Sequence, residues 1–312
     1  MARILIADAL DAAASDLLRK AGHEVFEKTL SPDDLLKEMP SFDALLVRSA
    51  TKVTKAVFGV AANLKVVGRA GVGVDNIDLA AAKANDVAVV NAPLAATNAV
   101  AELTVGQMLA LCRSIPRADA TTRQGEWAKK QLKGIELSGR TLGLLGVGRI
   151  GGRVAEICQA LGMNVVVYDP YVPAERAAEM AVRKVDTPTE VAQLADFISV
   201  HVPLTDETRH LVSTDFLAAC KKGAHILNVA RGGVVDEAAL LKAIESRHIA
   251  GAALDVFETE PLKESALFAH PNVHLSPHIG ANTHEAQQKA AVMVAEQVLK
   301  VLDGQTPDHR VV

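Results

Sequence analysis

Cysteine is scarce in this sequence. Among 312 residues there are three cysteines, Cys112, Cys158 and Cys220. They are far apart, odd in number and without a C-x-x-C pair, which excludes a disulfide framework and a cysteine-based zinc site. We therefore expect free, mostly buried thiols in a reducing compartment, the cytoplasm as the location, and no metal site.

Long apolar runs and a surplus of one charge are also missing. No stretch approaches ~18 uninterrupted apolar residues, so none is expected to span a membrane. The opening run MARILIADAL has one basic residue, soon reaches Asp8, and predicts a first strand instead of a signal peptide. Lys and Arg number 33 against 37 Asp and Glu, a formal net charge of −4. Without a basic surplus, we expect neither nucleic acid nor a membrane among the partners.

Short apolar runs alternate regularly with stretches rich in Ala, Leu, Glu and Lys. This alternation is typical of parallel sheets covered by helices on both faces. A first series of strands is predicted at Arg3–Ala7, His23–Phe26, Ala44–Arg48, Lys65–Gly68 and Val87–Asn91. A second series is predicted at Thr141–Gly146, Asn164–Asp169, Phe197–Val202, Ala224–Val229, Ile249–Val256 and Val273–Ser276. Two series of strands predict two doubly wound α/β units rather than one large sheet.

Helical patterns fill the spaces between these strands. One of them, Asp33–Met39, follows a Ser-Pro start signal. A long helical run from about Asn98 to Thr122 is interrupted near Pro116. The last helix runs from about Ala286 to near Gly304 and is too short for a further domain, so we expect it to pack on the first unit.

A glycine-rich turn follows the predicted strand that begins at Thr141. Residues 146–151 read G-V-G-R-I-G, in which Gly146 makes the tight turn, Gly148 lets a pyrophosphate approach, and Gly151 lets the helix pack on the strand. The next predicted strand ends at Asp169, 169 − 151 = 18 residues past the last glycine, near the ~20 expected for the acid that binds the adenosine ribose. Asp169 would repel a 2′-phosphate, which favours NAD over NADP. The alternative is an ordinary tight turn in which Asp169 caps a loop.

Three polar residues, Arg231, Glu260 and His278, follow predicted strands of the second series. Because ligands bind outside the carboxyl ends of parallel strands, all three can reach one crevice. Their types suit hydride transfer at a 2-hydroxy acid, with His278 as the general base and Glu260 orienting the imidazole and stabilising its protonated form. Arg231 offers a planar fork for a carboxylate and can polarise the C2 oxygen. Asp255 lies where it could meet the nicotinamide ring or its amide.

Each of these three residues also has an ordinary structural interpretation. Arg231 could form a surface ion pair, Glu260 could be a solvated loop acid, and His278 could be the neighbour of a helix N-cap.

Four motifs, in order along the chain, resemble those of the D-2-hydroxyacid dehydrogenase family. They are Gly146–Gly151, Asn228–Gly232, Gly251–Pro261 and Ser276–Gly280. The resemblance covers essentially the whole chain and implies that Arg231, Glu260 and His278 match the family's catalytic Arg, Glu and His. Beyond the three glycines, it implies cofactor contacts at Arg149, Ile150, Asp169, Val202, Val229, Ala230, Asp255, His278, Gly280 and Ala281.

The family architecture implies a split substrate domain. A flavodoxin-like substrate domain of residues 1–97 and 287–312 would contain an inserted Rossmann NAD-binding domain of residues 98–286. The family is usually a homodimer, paired through the cofactor domain and the long helix after Asn98. It closes by a hinge between its domains, which excludes water.

Two segments of the first unit resemble the phosphoglycerate dehydrogenase branch of this family. They are Val66–Asp78 and Val47–Thr51. The resemblance implies substrate binding at Arg48, Arg69, Gly71, Val72 and Gly73. The two glycines let backbone N–H groups approach a substrate carboxylate, and two guanidinium groups suit a dianionic phosphate.

Two further interpretations concern the predicted phosphate site. Lys133 could contribute to the phosphate site from a partner chain. Alternatively, Arg48 and Arg69 make structural ion pairs with acids such as Asp75 or Glu102.

We expect reversible, NAD-dependent oxidation of 3-phospho-D-glycerate to 3-phosphohydroxypyruvate, the first step of phosphorylated serine biosynthesis. Ala96 departs from the family, which usually has a polar residue at this position near the substrate. Val72 and Val202 also replace small polar residues. Because the sequence ends at Val312, we expect no serine-binding regulatory domain and no serine inhibition through one.

Two alternatives remain. The nearer one is a glyoxylate or hydroxypyruvate reductase, or another D-2-hydroxyacid dehydrogenase, which Ala96 leaves open. The more remote one is an NAD-sensing binding protein similar to the C-terminal binding protein corepressors, which share the fold.

Overall fold

The protein forms two compact units. The structure is a computed structural model that describes residues 1–312. The first unit contains residues Met1–Ala96 and Ala281–Val312, and the second contains Thr97–Gly280. The predicted functional domains, with boundaries at 97/98 and 286/287, stay a prediction.

The first unit is built on a five-stranded parallel sheet. Its strands are β1 (Arg3–Ile6), β2 (Glu24–Glu27), β3 (Ala44–Val47), β4 (Val66–Arg69) and β5 (Ala88–Asn91). Their order in the sheet is β2-β1-β3-β4-β5, the flavodoxin-like order. Its helices are α1 (Ala12–Lys20), α2 (Pro32–Glu38), α3 (Lys55–Val60), α4 (Leu79–Ala84) and the C-terminal helix His284–Leu302.

Local sequence explains these elements. The central strand β3 reads Ala-Leu-Leu-Val and is buried throughout, as expected of a strand covered on both faces. Helix α1 begins after Asp11, whose side chain accepts a hydrogen bond from the Ala13 N–H. Helix α2 begins with Pro32 after Ser31, whose hydroxyl accepts from the Asp34 N–H. Such caps satisfy N–H groups that have no partner within the helix.

The C-terminal helix lies directly on β4. A Cβ added at Gly68 would lie 2.8 Å from methyl carbons of Val294 and Val298, both fully buried. Only glycine therefore allows the helix to pack this close to the strand. Beyond the helix, the Val311 N–H donates to the Val89 carbonyl (2.7 Å) and Arg310 forms an antiparallel bridge to Val90. The last residues thus cover the open edge of β5.

The second unit is built on a seven-stranded parallel sheet. Its strands are β6 (Thr141–Leu145), β7 (Asn164–Tyr168), β8 (Arg183–Lys184), β9 (Phe197–Val200), β10 (Ala224–Asn228), β11 (Ile249–Leu254) and β12 (Val273–Leu275). Their order is β12-β11-β10-β9-β6-β7-β8. Counted from β8, this is the Rossmann order 3-2-1-4-5-6 with one additional strand, and the order reverses between β6 and β9.

Seven helices accompany this sheet. They are α5 (Thr97–Arg113), α6 (Ile115–Arg123), α7 (Arg149–Ala160), α8 (Ala174–Glu179), α9 (Pro188–Leu194), α10 (Thr214–Ala219) and α11 (Glu237–Glu245). The C-terminal helix of the first unit is α12. No helix in either unit combines the length and the apolar character that crossing a membrane requires.

The predicted fold class, two doubly wound parallel-sheet units, is confirmed. One short element was missed by the sequence prediction. Strand β8 was not predicted, since two residues are too few to show a pattern. The predicted interruption of the long helix near Pro116 is present, and it lies at Ser114, which is in the left-handed region (φ 47°). Pro116 lies in the first turn of α6, where a missing N–H costs nothing.

The three cysteines are buried and unpaired. Burial raises the pKa of Cys112 to about 11 and the pKa of Cys158 and of Cys220 to about 12. Their thiols therefore stay protonated and poorly nucleophilic at neutral pH.

His225 is a largely buried histidine near the amino end of β10. Its ring stacks on Phe197 of β9, with centroids 4.8 Å apart and planes 12° apart, and its Nδ1 has no hydrogen-bond partner. Burial, with smaller contributions from Arg140 and His274, lowers the pKa of His225 to about 4, while Asp196 acts in the opposite direction. Because the unfolded chain takes up this proton near pH 6.5, acid favours unfolding.

We expect His225→Phe to remove part of the acid sensitivity of the fold. In the wild type, the contribution of His225 to stability is constant above about pH 6.5 and decreases as the pH falls toward 4, by about 2 kcal/mol at pH 5. Phenylalanine keeps the stacking and binds no proton. Urea unfolding at pH 7 and pH 5 should show a smaller loss of unfolding free energy for the variant, with the exposed His284→Gln as control. Equal losses for wild type and His225→Phe would contradict the prediction.

Candidate active site

The glycine-rich turn connects β6 to α7. Gly146 has φ +92°, and a Cβ there would lie 2.8 Å from the His201 carbonyl oxygen after β9; a Cβ at Gly151 would lie 2.5 Å from the Gly146 oxygen. Gly148, by contrast, faces open space. No side chain caps α7, so the N–H groups at the start of this helix have no side-chain acceptor. Packing explains two of the glycines, and the third leaves room for a phosphate at a helix N-terminus.

Asp169 lies beside this turn, just after β7. Its Oδ2 accepts from the Val147 N–H (2.9 Å) and its Oδ1 accepts from the Tyr171 N–H (2.9 Å). The loop-capping role considered for Asp169 is therefore present. A carboxylate offers about four acceptor positions, so two remain for ribose hydroxyls. The two interpretations of Asp169 are compatible.

Most of the other predicted cofactor residues lie at the carboxyl edge of the same sheet. They are Arg149 and Ile150 in the first turn of α7, Val202 after β9, Val229 and Ala230 after β10, Asp255 after β11 and Gly280 after β12. A Cβ at Gly280 would lie 3.3 Å from Val229 Cγ1 and 3.2 Å from Asp255 Oδ2, so these segments are in contact. Ala281 belongs to the first unit.

The Asp255 carboxylate orders the segment after β12. It is 1% exposed. Its Oδ1 accepts from the Ser276 hydroxyl (2.5 Å) and the Ile279 N–H (2.9 Å), and its Oδ2 accepts from the Gly280 N–H (2.8 Å). Gln107 of α5 in turn donates to Ser276 Oγ (3.2 Å). The predicted nicotinamide contact at Asp255 stays a prediction.

His278 and Glu260 form a pair. His278 Nδ1 lies 2.7 Å from Glu260 Oε2, and Glu260 Oε1 accepts from the Phe257 N–H (3.0 Å). The imidazole is half exposed, and its Nε2 has no hydrogen bond. His278 has φ +53°, a left-handed conformation that is uncommon for residues other than glycine. Its N–H donates to the Asp255 carbonyl (2.9 Å), which holds it in place.

The loop that bears Arg231 follows β10. The side chain of Asn228, 1% exposed, accepts from the Ala230 N–H (3.1 Å) and donates to the Arg231 carbonyl (2.8 Å). Arg231 Nη1 donates to the Ala230 carbonyl (2.7 Å). A Cβ added at Gly232 would overlap the Phe257 carbonyl. The Arg231 loop and the segment leading to Glu260 therefore meet backbone to backbone.

The second unit thus brings the segments of Arg231, Glu260 and His278 to one edge of its sheet. Two positioning residues in these segments, Asn228 and Ser276, were not predicted. Both stand within the quoted motifs as polar side chains at strand ends. Sequence reasoning did not give them a partner.

The predicted substrate residues belong to the first unit. Arg69 Nε donates to the Arg48 carbonyl (3.2 Å) after β3, and a Cβ at Gly71 would overlap the Arg69 guanidinium. Val72 and Gly73 are half-buried in the same loop, where the Val72 carbonyl accepts from the Asn91 side chain (2.5 Å). Their role in binding stays a prediction. Two other residues considered in the sequence lie outside this loop: Ala96 is 3% exposed, and Lys133 is exposed.

Comparison with known proteins identifies the family. The NAD binding domain of D-isomer specific 2-hydroxyacid dehydrogenases matches residues 105–280, more than half of the chain and entirely within the second unit. The chain belongs to the D-isomer specific 2-hydroxyacid dehydrogenase family. NAD is the cofactor of this domain, and the open Gly148, the uncapped α7 and the remaining acceptors of Asp169 fit its pyrophosphate and ribose.

Named relatives and a solved structure are similar to this chain over nearly its whole length. D-3-phosphoglycerate dehydrogenase of Methanocaldococcus jannaschii is 49% identical over 99% of this chain and 59% of its own length. The enzyme of that name from Rattus norvegicus is 46% identical over 97% of this chain and 57% of its own length. The chain therefore spans less than two thirds of these relatives. The TT0316 protein of Thermus thermophilus has a crystal structure with a TM-score of 0.91 and 36% identity, covering 99% of this chain and 100% of its own.

We expect Gly232→Ala to damage catalysis more than cofactor binding. The added methyl group must displace either the Arg231 loop or the Phe257 backbone, and a shift of about 1 Å in a reacting group can reduce the rate ~100-fold. kcat should fall at least about tenfold, with the Kd for NADH, from fluorescence titration, within about threefold of wild type. Gly59→Ala, where a Cβ meets only open space, is the control. An unchanged kcat for Gly232→Ala would show that the contact is not needed.

We expect Asp169→Asn to weaken discrimination between NADH and NADPH. The substitution removes the negative charge that repels a 2′-phosphate and keeps the shape of the side chain. The ratio of kcat/KM with NADH to kcat/KM with NADPH should fall at least about tenfold. Asp186→Asn, at an exposed acid of the same unit, should leave the ratio unchanged. A ratio unaffected by Asp169→Asn would assign that residue to loop capping alone.

Proposed function

We propose that this chain catalyses the reversible, NAD-dependent oxidation of 3-phospho-D-glycerate to 3-phosphohydroxypyruvate, the first step of phosphorylated serine biosynthesis. The observation that carries the reaction type is the His278–Glu260 pair, 2.7 Å apart in the NAD-binding unit, with the Arg231 loop packed against the segment that leads to Glu260. The names of the relatives at 49% and 46% identity support the substrate.

The reaction removes a hydride from C2 and a proton from the C2 hydroxyl. When bound, NAD supplies the acceptor for the hydride. His278 Nε2, the ring nitrogen without a hydrogen bond, takes the hydroxyl proton. Glu260 holds Nδ1 and stabilises the imidazolium that results. The reverse reaction returns this proton to the carbonyl oxygen of the keto acid.

Arg231 binds the substrate carboxylate and polarises the C2 oxygen. Its planar fork matches a carboxylate, and its loop is fixed by the Asn228 side chain, so little reorganisation is needed. We assign the substrate phosphate to Arg48 and Arg69 and the carboxylate contact from the first unit to the backbone of residues 71–73. Residues 1–97 and 287–312 then act as the substrate domain, and residues 98–286 as the NAD-binding domain.

We further propose a homodimer located in the cytoplasm. Two exposed apolar side chains on adjoining helices support the dimer: Leu109 of α5 is 38% exposed, and Ile115, the first residue of α6, is 51% exposed. Three protonated, unpaired thiols support a reducing compartment.

The decisive experiment compares three keto acids with NADH: 3-phosphohydroxypyruvate, hydroxypyruvate and glyoxylate. We expect 3-phosphohydroxypyruvate to give the highest kcat/KM. Arg69→Ala should lower this value about 100-fold and the value for hydroxypyruvate less than about threefold, because only the first substrate has a phosphate. His278→Ala should lower kcat for all three by about 10²–10⁴ and leave NADH binding intact.

Arg19→Ala is the matched control for the arginine variant, since Arg19 forms an exposed ion pair with Glu27 in the same unit. If the unphosphorylated acids react best and Arg69→Ala changes little, the chain is a glyoxylate or hydroxypyruvate reductase or another 2-hydroxyacid dehydrogenase. NADH binding without turnover would instead favour an NAD-sensing binding protein.

A further inference from the structure

Asp8 is a buried acid at the carboxyl end of β1, in the first unit. It is 8% exposed. Its Oδ2 accepts from the Arg48 N–H (2.6 Å), and its carboxylate accepts from both the Thr51 N–H (3.1 Å) and the Thr51 hydroxyl (2.6 Å). All three donors belong to the loop that follows β3, forty or more residues away along the chain.

The same loop is held from its other side. The Asn76 side-chain amide donates to the Arg48 carbonyl (3.1 Å) and to the Thr51 carbonyl (2.7 Å). Both ends of the loop are therefore clamped, with N–H groups bound by Asp8 and carbonyl groups bound by Asn76. Its two middle residues, Ser49 and Ala50, remain exposed. The loop backbone is therefore held by hydrogen bonds at both ends, and its centre is exposed to solvent.

Burying a carboxylate to hold such a loop has a large desolvation cost. Asp8 makes no ion pair, so its desolvation is offset only by N–H and O–H donors. It caps no helix. The Arg48 side chain has a single contact of its own, a long one from Nη2 to Asn282 Oδ1 (3.5 Å). The direction of the Arg48 guanidinium therefore depends mainly on where Asp8 and Asn76 hold its backbone.

We propose that Asp8 is a positioning residue for substrate binding. It fixes the Arg48–Thr51 loop in advance, so that Arg48 binds the anionic substrate without the entropic cost of ordering the loop. The proposal rests on the substrate role of Arg48 in the proposed function. Asp8 touches neither substrate nor cofactor and acts through Arg48. Its removal should therefore weaken substrate binding and leave the proton transfer at His278 intact.

The first test is Asp8→Asn. The amide keeps the size of the side chain but turns one oxygen acceptor into a donor, which faces an N–H of the loop. With NADH and the keto acid that wild type uses best, KM should rise about tenfold, kcat should stay within about threefold, and the Kd for NADH should not change. Asp43→Asn is the matched control, because Asp43 accepts from the Arg3 N–H (2.8 Å) at the opposite, amino end of β3.

A double-mutant cycle separates positioning from general destabilisation. In an Arg48→Ala background, Asp8→Asn should raise KM less than about threefold, since the group that Asp8 positions is gone. A merely structural role predicts the same factor in both backgrounds and a fall in kcat. If Asp8→Asn does not fold, Thr51→Val removes one donor to the same carboxylate and should raise KM about threefold, again only when Arg48 is present.

The outcomes for the two proposals are distinguishable. If the wild type does not prefer 3-phosphohydroxypyruvate, the proposed substrate is wrong. The double-mutant cycle of Asp8→Asn and Arg48→Ala can still be measured with the keto acid that the wild type prefers. Additive effects of Asp8→Asn and Arg48→Ala, or an unchanged KM in Asp8→Asn, overturn the positioning role even if the phosphorylated substrate is confirmed.

Discussion

The buried carboxylate of Asp255 holds the candidate active site together. It lies where β11 ends, and through Ser276, Ile279 and Gly280 it fixes the chain that leaves β12. His278 lies within that fixed segment, in a backbone conformation that a non-glycine residue adopts only when its surroundings compensate. Since an isolated charge is costly to bury, the three donors and the carboxylate depend on one another.

Close backbone contact extends this order to the neighbouring strand. Gly280 touches Val229 after β10, and Gly232 lies against the Phe257 carbonyl after β11. A side chain at Gly232 would require movement of a backbone segment, and one at Gly280 would press on the side chains of Asp255 and Val229. Three consecutive strand ends therefore behave as one rigid surface, although the residues proposed to act in the reaction are half exposed. Such preorganisation is what charge stabilisation in a transition state requires.

Much of the fold and of the candidate site could be predicted from the sequence. Alternating apolar runs predict the strands, and parallel pairing then places Arg231, Glu260 and His278 at one edge. The two-residue β8 could not be predicted, because a short strand has no period. The break in the long helix was predicted near Pro116, but its exact position at Ser114 was not, because a left-handed serine has no sequence marker. In the sequence, Asp8 is recognisable only as an acid near the N-terminus. Its partners lie forty residues further on, and no local pattern encodes a contact of that range.

The first unit is assembled from two stretches of the chain that the whole second unit separates. The face of β4 at Gly68 is filled by Val294 and Val298 of α12, and the edge of β5 is covered by residues 309–312. During synthesis on the ribosome, the N-terminal sheet therefore has an exposed apolar face and an unpaired edge until α12 emerges. The second unit is continuous and needs no such delay. The first unit, although its synthesis begins first, is therefore completed last, and its exposed sheet is the part most in need of protection from aggregation.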